Sequence, residues 1–150
     1  MVRDPVTVLR VLVAEDDDDH RFLAVRALQE ASDLDVEVDA VCDGAEALDF
    51  VFRRGRYRQS ARPHLILLDL KLPKINGLEV LEQVKADASL NTIPVVVVSS
   101  SDRPEDIDAA YRLGTNCYVS KPVGGAGLVA GFRRIAEYWG RVAVLPGRQP

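Results

Sequence analysis

Residues Val8–Ala14 read VLRVLVA and run straight into EDDDDH, Glu15 to His20. Apart from Arg10 the segment is aliphatic and lacks the polar alternation of a half-exposed strand, which predicts a strand covered on both faces, as in a parallel sheet. The same reading recurs at Leu65–Leu68 before Asp69, Val95–Val98 before Ser99, and Tyr118–Ser120 before Lys121-Pro122. A weaker, alternating strand spans Val36–Val41, with Val36 and Val38 facing one way and the intervening acids the other.

Helical patterns separate these runs. Arg21–Glu30 sets Phe22, Val25 and Leu28 on one stripe, with Asp18 or Asp19 as N-cap. Asp43-Gly44-Ala45-Glu46 and Asn76-Gly77-Leu78-Glu79 read as capping boxes, because a short polar side chain can accept from the third backbone N–H beyond it. Asp102-Arg103-Pro104-Glu105 repeats the device, and Gly114 is the expected stop of that helix. A last helix is expected over about Gly127–Val142, its first turns weakened by Gly124, Gly125, Gly127 and Gly131. Strands alternating with helices predict a doubly wound α/β domain with a parallel sheet between helical layers.

Composition fits this architecture. A chain of 150 residues, 47% hydrophobic, is long enough for one domain that buries roughly 70% of its unfolded surface. Its net charge of −4 argues against a nucleic-acid partner, which calls for a basic excess. No apolar run reaches the roughly 18 residues of a membrane helix, and the start lacks a signal pattern, so a cytoplasmic location is expected. Cys42 and Cys117 have no metal-ligand spacing and are read as buried free thiols. His20 and His64 are read as structural.

Ligands of open parallel sheets bind outside the carboxyl ends of the strands. Four apolar runs end there in Glu15-Asp16, Asp69, Ser99 and Lys121. Carboxylates about 4 Å apart repel by ~4 kcal/mol at an effective dielectric near 20, so several in one crevice need a cation. All-oxygen donors suit Mg²⁺, with Mn²⁺ as an alternative. A carboxylate between a metal and a lysine can attack phosphorus and form an acyl phosphate, and Asp69, alone at its strand end, is best placed for that role.

The blocks VLVAEDD, LILLDLKLPKINGLEVL, IPVVVVSSSD and NCYVSKPV resemble, in order, those of the receiver domain of two-component response regulators, from about Val8 to Val142. The resemblance implies a flavodoxin-like sheet of five strands in order 2-1-3-4-5 with five helices, an N-terminal extension over 1–7 and a tail over 143–150. It implies that Asp69 takes a phosphoryl group from a sensor histidine kinase, Asp16 binds Mg²⁺ directly, Glu15 binds through water, and the Lys71 carbonyl is a further ligand. Ser99 and Lys121 would contact the phosphoryl group, Tyr118 would be the switch aromatic, and the Lys121-Pro122 peptide would be cis.

Such a protein is a phosphoacceptor that signals by protein contacts, not an enzyme. The alternatives are a receiver-like scaffold that works without phosphorylation, and an Asp-nucleophile phosphatase; the latter normally wants a second carboxylate where this chain has Lys71. The connection RGRYRQSARP and the tail AEYWGRV resemble receivers that partner phytochrome-type kinases. Leu128, Phe132, Ile135, Trp139 and Val142 form one apolar stripe, and its far end, with Val144 and Leu145, is expected to outrun the sheet and support a homodimer.

Overall fold

Five parallel strands form one sheet in the order β2-β1-β3-β4-β5 in the computed structural model, which describes residues 8–31 and 34–148. The strands are β1 (Leu9–Ala14), β2 (Val36–Val41), β3 (Leu65–Leu68), β4 (Val95–Ser99) and β5 (Cys117–Ser120). The helices are α1 (Asp18–Gln29), α2 (Gly44–Val51), α3 (Gly77–Ala86), α4 (Pro104–Arg112) and α5 (Gly125–Glu137). This is the expected doubly wound, flavodoxin-like order. The predicted N-terminal extension lies outside the described residues, as do 32, 33, 149 and 150.

Side chains along a strand alternate between faces, and here both faces are buried. Leu12, Ala14, Ile66, Leu68, Val95 and Val97 enter a core shared with α2, α3 and α4. Val11, Val13, Leu65, Leu67, Val96 and Val98 enter a second core closed by α1 and α5. That is why the central strands carry no polar alternation, whereas edge strand β2 exposes Glu37 and Asp39. Register carries the strand ends to one edge: Ala14 pairs with Leu68, Leu68 with Val97, and Val97 with Tyr118. At the opposite edge the Lys85 ammonium donates to the carbonyls of Asn91 (3.1 Å) and Ile93 (2.9 Å) and to Asn116 Oδ1 (3.0 Å), joining α3 to the starts of β4 and β5.

Two predicted caps hold: Asp43 Oδ1 accepts from Glu46 N at 2.7 Å and Asn76 Oδ1 from Glu79 N at 3.0 Å. Gly114, at φ 104°, stands just past α4 as expected. Other local readings need correction. Asp17, not Asp18 or Asp19, caps α1 by accepting from His20 N at 3.0 Å, because Glu15 takes the Asp17 N–H and sets the turn one residue earlier. Helix α1 buries Ala24, Ala27 and Leu28 while Phe22 is 61% exposed; the small alanines let the helix lie close to the sheet. Helix α4 has Arg103 at its N-cap and no side-chain cap; the Ser101 hydroxyl, rather than Asp102, bonds into the first turn by donating to Asp106 Oδ2. Cys42 is exposed, not buried, on the loop after edge strand β2.

The C-terminal stripe also departs from expectation. Leu128, Phe132 and Ile135 pack on the protein's own sheet, Trp139 lies half-buried against the same core, and Leu145 is 5% exposed within it. After α5 a π-helical turn, Tyr138–Val142, widens the coil and sends the chain back beneath the sheet. There the Arg148 guanidinium donates to the Gly140 carbonyl at 2.7 Å. Gly140 lets the turn lie against Leu34, since a Cβ would stand 3.0 Å from that side chain. Tyr138, Val142 and Val144 remain exposed.

Candidate functional site

Three strand ends and one helix start converge at the carboxyl edge of the sheet. Glu15 follows β1, Asp69 follows β3 and Lys121 follows β5, and their side chains are only 7%, 8% and 6% exposed. The Lys121 ammonium donates to Asp69 Oδ2 at 2.8 Å and to Glu15 Oε1. The remaining carboxylate oxygens are engaged by backbone: Asp69 Oδ1 accepts from Lys71 N at 3.0 Å and Glu15 Oε2 from Asp17 N at 3.1 Å. Arg21 holds the acidic loop from outside, donating to the carbonyls of Glu15 (2.9 Å) and Asp16 (3.3 Å).

Burial raises the Glu15 pKa above the ordinary carboxylate range and the Asp69 charge adds to this, while the Lys121 ammonium opposes both. Burial would lower the Lys121 pKa, but the hydrogen bonds and charges of Asp69 and Glu15 outweigh it and hold the ammonium above its ordinary value. The lysine is therefore a fixed cation that neutralises part of a buried anionic pair.

The backbone behind Asp69 is tightly packed. Gly77 N donates to the Leu70 carbonyl at 2.9 Å, and a Cβ on Gly77 would lie 2.2 Å from the Asp69 carbonyl oxygen. Only glycine lets α3 start this close to the end of β3. Ser99 is fully buried at the end of β4 and its Oγ accepts from Ser101 N at 3.2 Å. The Tyr118 hydroxyl donates to the Ser101 carbonyl at 2.7 Å, so residue 101 bridges Ser99 and Tyr118.

Asp16 is the exception among the predicted site residues. Its side chain is exposed and takes no partner among the described residues. Glu15, Asp16 and Asp69 do not bring three ligand atoms within 4.8 Å of one another; among the described residues that spacing is met by Cys42, Asp43 and Glu46. Arg56 and Lys74 already pair with Glu46 and Asp43 in that second group. At the main site Glu15 and Asp69 turn oxygens toward the Lys121 ammonium, whereas Asp16 turns its side chain to solvent. The Lys121-Pro122 bond also corrects the expectation, since it is trans. An X–Pro bond favours trans by about 0.5–1 kcal/mol, and in that isomer Lys121 reaches both carboxylates.

His20, read from sequence as a structural residue without a partner, belongs to the site: its Nδ1 stands 3.0 Å from Lys121 Nζ. The available signal was its place in the first turn of α1, which starts at the edge where β1 ends. His64 keeps its structural role, with Nδ1 accepting from Arg10 N at 2.9 Å at the opposite edge. No helix among the described residues is long and apolar enough to cross a membrane.

Known proteins share this fold. The model of the response regulator receiver domain matches residues 11–133. The chain is 38% identical over 136 residues to response regulator Rcp1 of Synechocystis sp., spanning 91% of both proteins. It superposes on the phosphorylated cyanobacterial phytochrome response regulator RcpA with a TM-score of 0.89 and 40% identity, over 92% of this chain and 98% of that one. It superposes on the Mn²⁺-bound form of Rcp1 with a TM-score of 0.88 and 37% identity, over 92% and 99%. With its strand order and the Asp69–Lys121 pair in place, the chain belongs to the response regulator receiver domain family and is similar to phytochrome response regulators.

Proposed function

We propose that this protein is a phosphoacceptor: Asp69 takes a phosphoryl group from a sensor histidine kinase, of phytochrome type, in a Mg²⁺-dependent reaction in the cytoplasm. The observation that carries this reading is the buried Asp69 carboxylate held at 2.8 Å by Lys121 at the ligand-binding edge of a parallel sheet. An Asp69 oxygen attacks phosphorus, the new P–O bond forms as the P–N bond of the phosphohistidine breaks, and the electron pair leaves with the imidazole nitrogen. No proton has to leave Asp69, which reacts as the carboxylate. Lys121 stabilises charge on the transferring oxygens, and the Ser99 hydroxyl can donate to one of them.

The donor types suit a hard divalent cation, which the carboxylates of Asp16, Asp69 and, through water, Glu15, with the Lys71 carbonyl, would hold once the Asp16 side chain turns in from solvent. Such a cation, when bound, supplies neutralising charge at the phosphoryl oxygens. The exposed, unpartnered Asp16 carboxylate is available to it, while Glu15 and Asp69 each share an oxygen with Lys121.

An acyl phosphate adds about two negative charges and strong acceptors beside Ser99. Drawing the Ser99 hydroxyl inward alters its bond with Ser101 N, and Ser101 in turn holds Tyr118. The surface of α4, β5 and α5 would then change shape and be read by a protein partner. The dimer reading narrows to Val142 and Val144, which stay exposed, and gains Tyr138, exposed in the same last turn. A sedimentation mass equal to one chain at micromolar concentration refutes that dimer.

The decisive experiment is incubation with Mg²⁺ and acetyl phosphate, read by mass spectrometry. One phosphoryl group per chain, absent from Asp69→Asn and from Mg²⁺-free samples, supports the proposal. No modification favours a scaffold, and repeated turnover of phosphate esters favours a phosphatase.

A further inference from the structure

The Lys121 ammonium has three N–H groups and accepts nothing. All three are taken: Glu15 Oε1, Asp69 Oδ2 at 2.8 Å and His20 Nδ1 at 3.0 Å. Since an ammonium can only donate, Nδ1 must be the acceptor, which assigns the tautomer with its proton on Nε2. The resting lysine is thus saturated. A phosphoryl group arriving on Asp69 brings strong acceptor oxygens to this cation, and Lys121 can donate to one of them only by releasing an existing partner.

The three partners are unequal. Glu15 and Asp69 are buried carboxylates, which add ion-pair attraction to the charge-assisted hydrogen bond that a neutral acceptor also receives from the ammonium. Releasing Glu15 would leave a buried charge uncompensated, and although acylation moves the Asp69 charge onto the phosphoryl group, the Asp69 oxygen that stays on carbon is a buried acceptor, costly to strip of its donor. His20 is a neutral acceptor whose side chain is 37% exposed, so water can replace the lysine when the ring lets go. It lines a surface cavity with Leu23, Pro122, Gly124 and Leu128, where the two glycines beyond Pro122 leave room for the imidazole to swing outward.

We infer that His20 is a positioning residue, the resting-state acceptor of the third Lys121 N–H, which the phosphoryl group must displace, so that this imidazole restrains acylation of Asp69. The inference rests on the phosphoacceptor reading above. Removing the acceptor leaves one ammonium N–H bonded only to water. One hydrogen bond of ordinary net strength then corresponds to roughly a three- to tenfold gain in phosphoryl-mimic affinity.

The test uses the full chain with saturating Mg²⁺ and beryllofluoride, with binding followed through the backbone amide resonances of Asp17 and Lys71. The acylation rate at low acetyl phosphate is measured in parallel. His20→Ala and His20→Leu lack the acceptor; His20→Asn keeps an oxygen the same number of bonds from Cβ as Nδ1. Tighter beryllofluoride binding and faster acylation in both Ala and Leu, with Asn returning toward wild type, support the inference. A Leu variant that matches wild type shows a packing role and overturns it, as does an Ala variant that binds equally or more weakly. A wild-type protein that neither binds beryllofluoride nor is acylated overturns the Asp69 reading itself, and this inference with it.

Discussion

Replacing Lys121 with methionine keeps the unbranched stem of the side chain and removes the cation shared by Glu15 and Asp69. Both carboxylates are more than nine-tenths buried and both bond directly to Lys121, so solvent screening does little for them. Removing one member of a buried ion pair costs about 3–5 kcal/mol, because the remaining charge stays desolvated. With a urea slope of about 2 kcal/mol per molar, the unfolding midpoint should fall by about 1.5–2.5 M. Glu15 can relieve part of the loss by taking up a proton. Its folded pKa already stands above the ordinary value of 4.5, and removing Lys121 takes away what lowers it. A raised folded pKa means that the folded state binds more protons, so its stabilising contribution is complete below 4.5 and is lost as pH rises through the folded value.

The variant should therefore regain stability as pH falls from 7.5 toward 5.5, which wild type should do far less. Mg²⁺ should stabilise the variant more than wild type, since a cation no longer competes with the ammonium for the same oxygens. Urea titrations at two pH values, each with and without Mg²⁺, measure all three effects. A midpoint within 0.5 M of wild type, roughly 1 kcal/mol on the same slope, would refute the claim that Lys121 compensates a buried anionic pair.

Two further predictions concern other parts of the fold. Gly77→Ala sets a methyl 2.2 Å from the Asp69 carbonyl oxygen and 2.6 Å from Leu70 Cα, both backbone atoms that yield only if the end of β3 moves; overpacking of this kind costs about 1–3 kcal/mol, and beryllofluoride binding should weaken as well, so an unchanged urea midpoint and affinity contradict the packing argument. Burial holds the His64 pKa below its ordinary 6.5, so its contribution to stability is present above 6.5 and is lost as pH falls through the lower folded value. His64→Asn keeps an acceptor for the Arg10 N–H and should flatten the decline in urea midpoint between pH 7 and pH 5; parallel profiles for the two proteins would show that His64 is not its source.

Much of this protein was readable before any coordinates. Strands flanked by apolar residues on both sides have one stable solution, a sheet with a helical layer on each face, and the helices between them make it parallel. Asp43 and Asn76 act as caps because a short acceptor side chain and a backbone N–H three residues on lie within one turn. The polar residues after the apolar runs meet because parallel strands end at one edge. The choice of face in α1 was less legible. Hydrophobicity favours Phe22, but distance to the sheet favours Ala24 and Ala27, and helix–sheet spacing is a tertiary quantity. The tail misled for a similar reason: Leu145 returns to the core through a π-helical turn that no 3.6-residue period anticipates.

The sequence by itself determined the parallel sheet, the helical layers and the identity of Glu15, Asp69, Ser99 and Lys121 as a convergent set, because hydrophobic period and strand-end chemistry are local properties of the chain; the strand order came from the resemblance to receiver domains. Tertiary structure decided the rest: that Lys121 holds both buried carboxylates, that Asp16 stands apart in solvent, and that His20 completes the coordination of the ammonium. Those outcomes depend on distances between segments up to 106 residues apart, which only the packed chain sets.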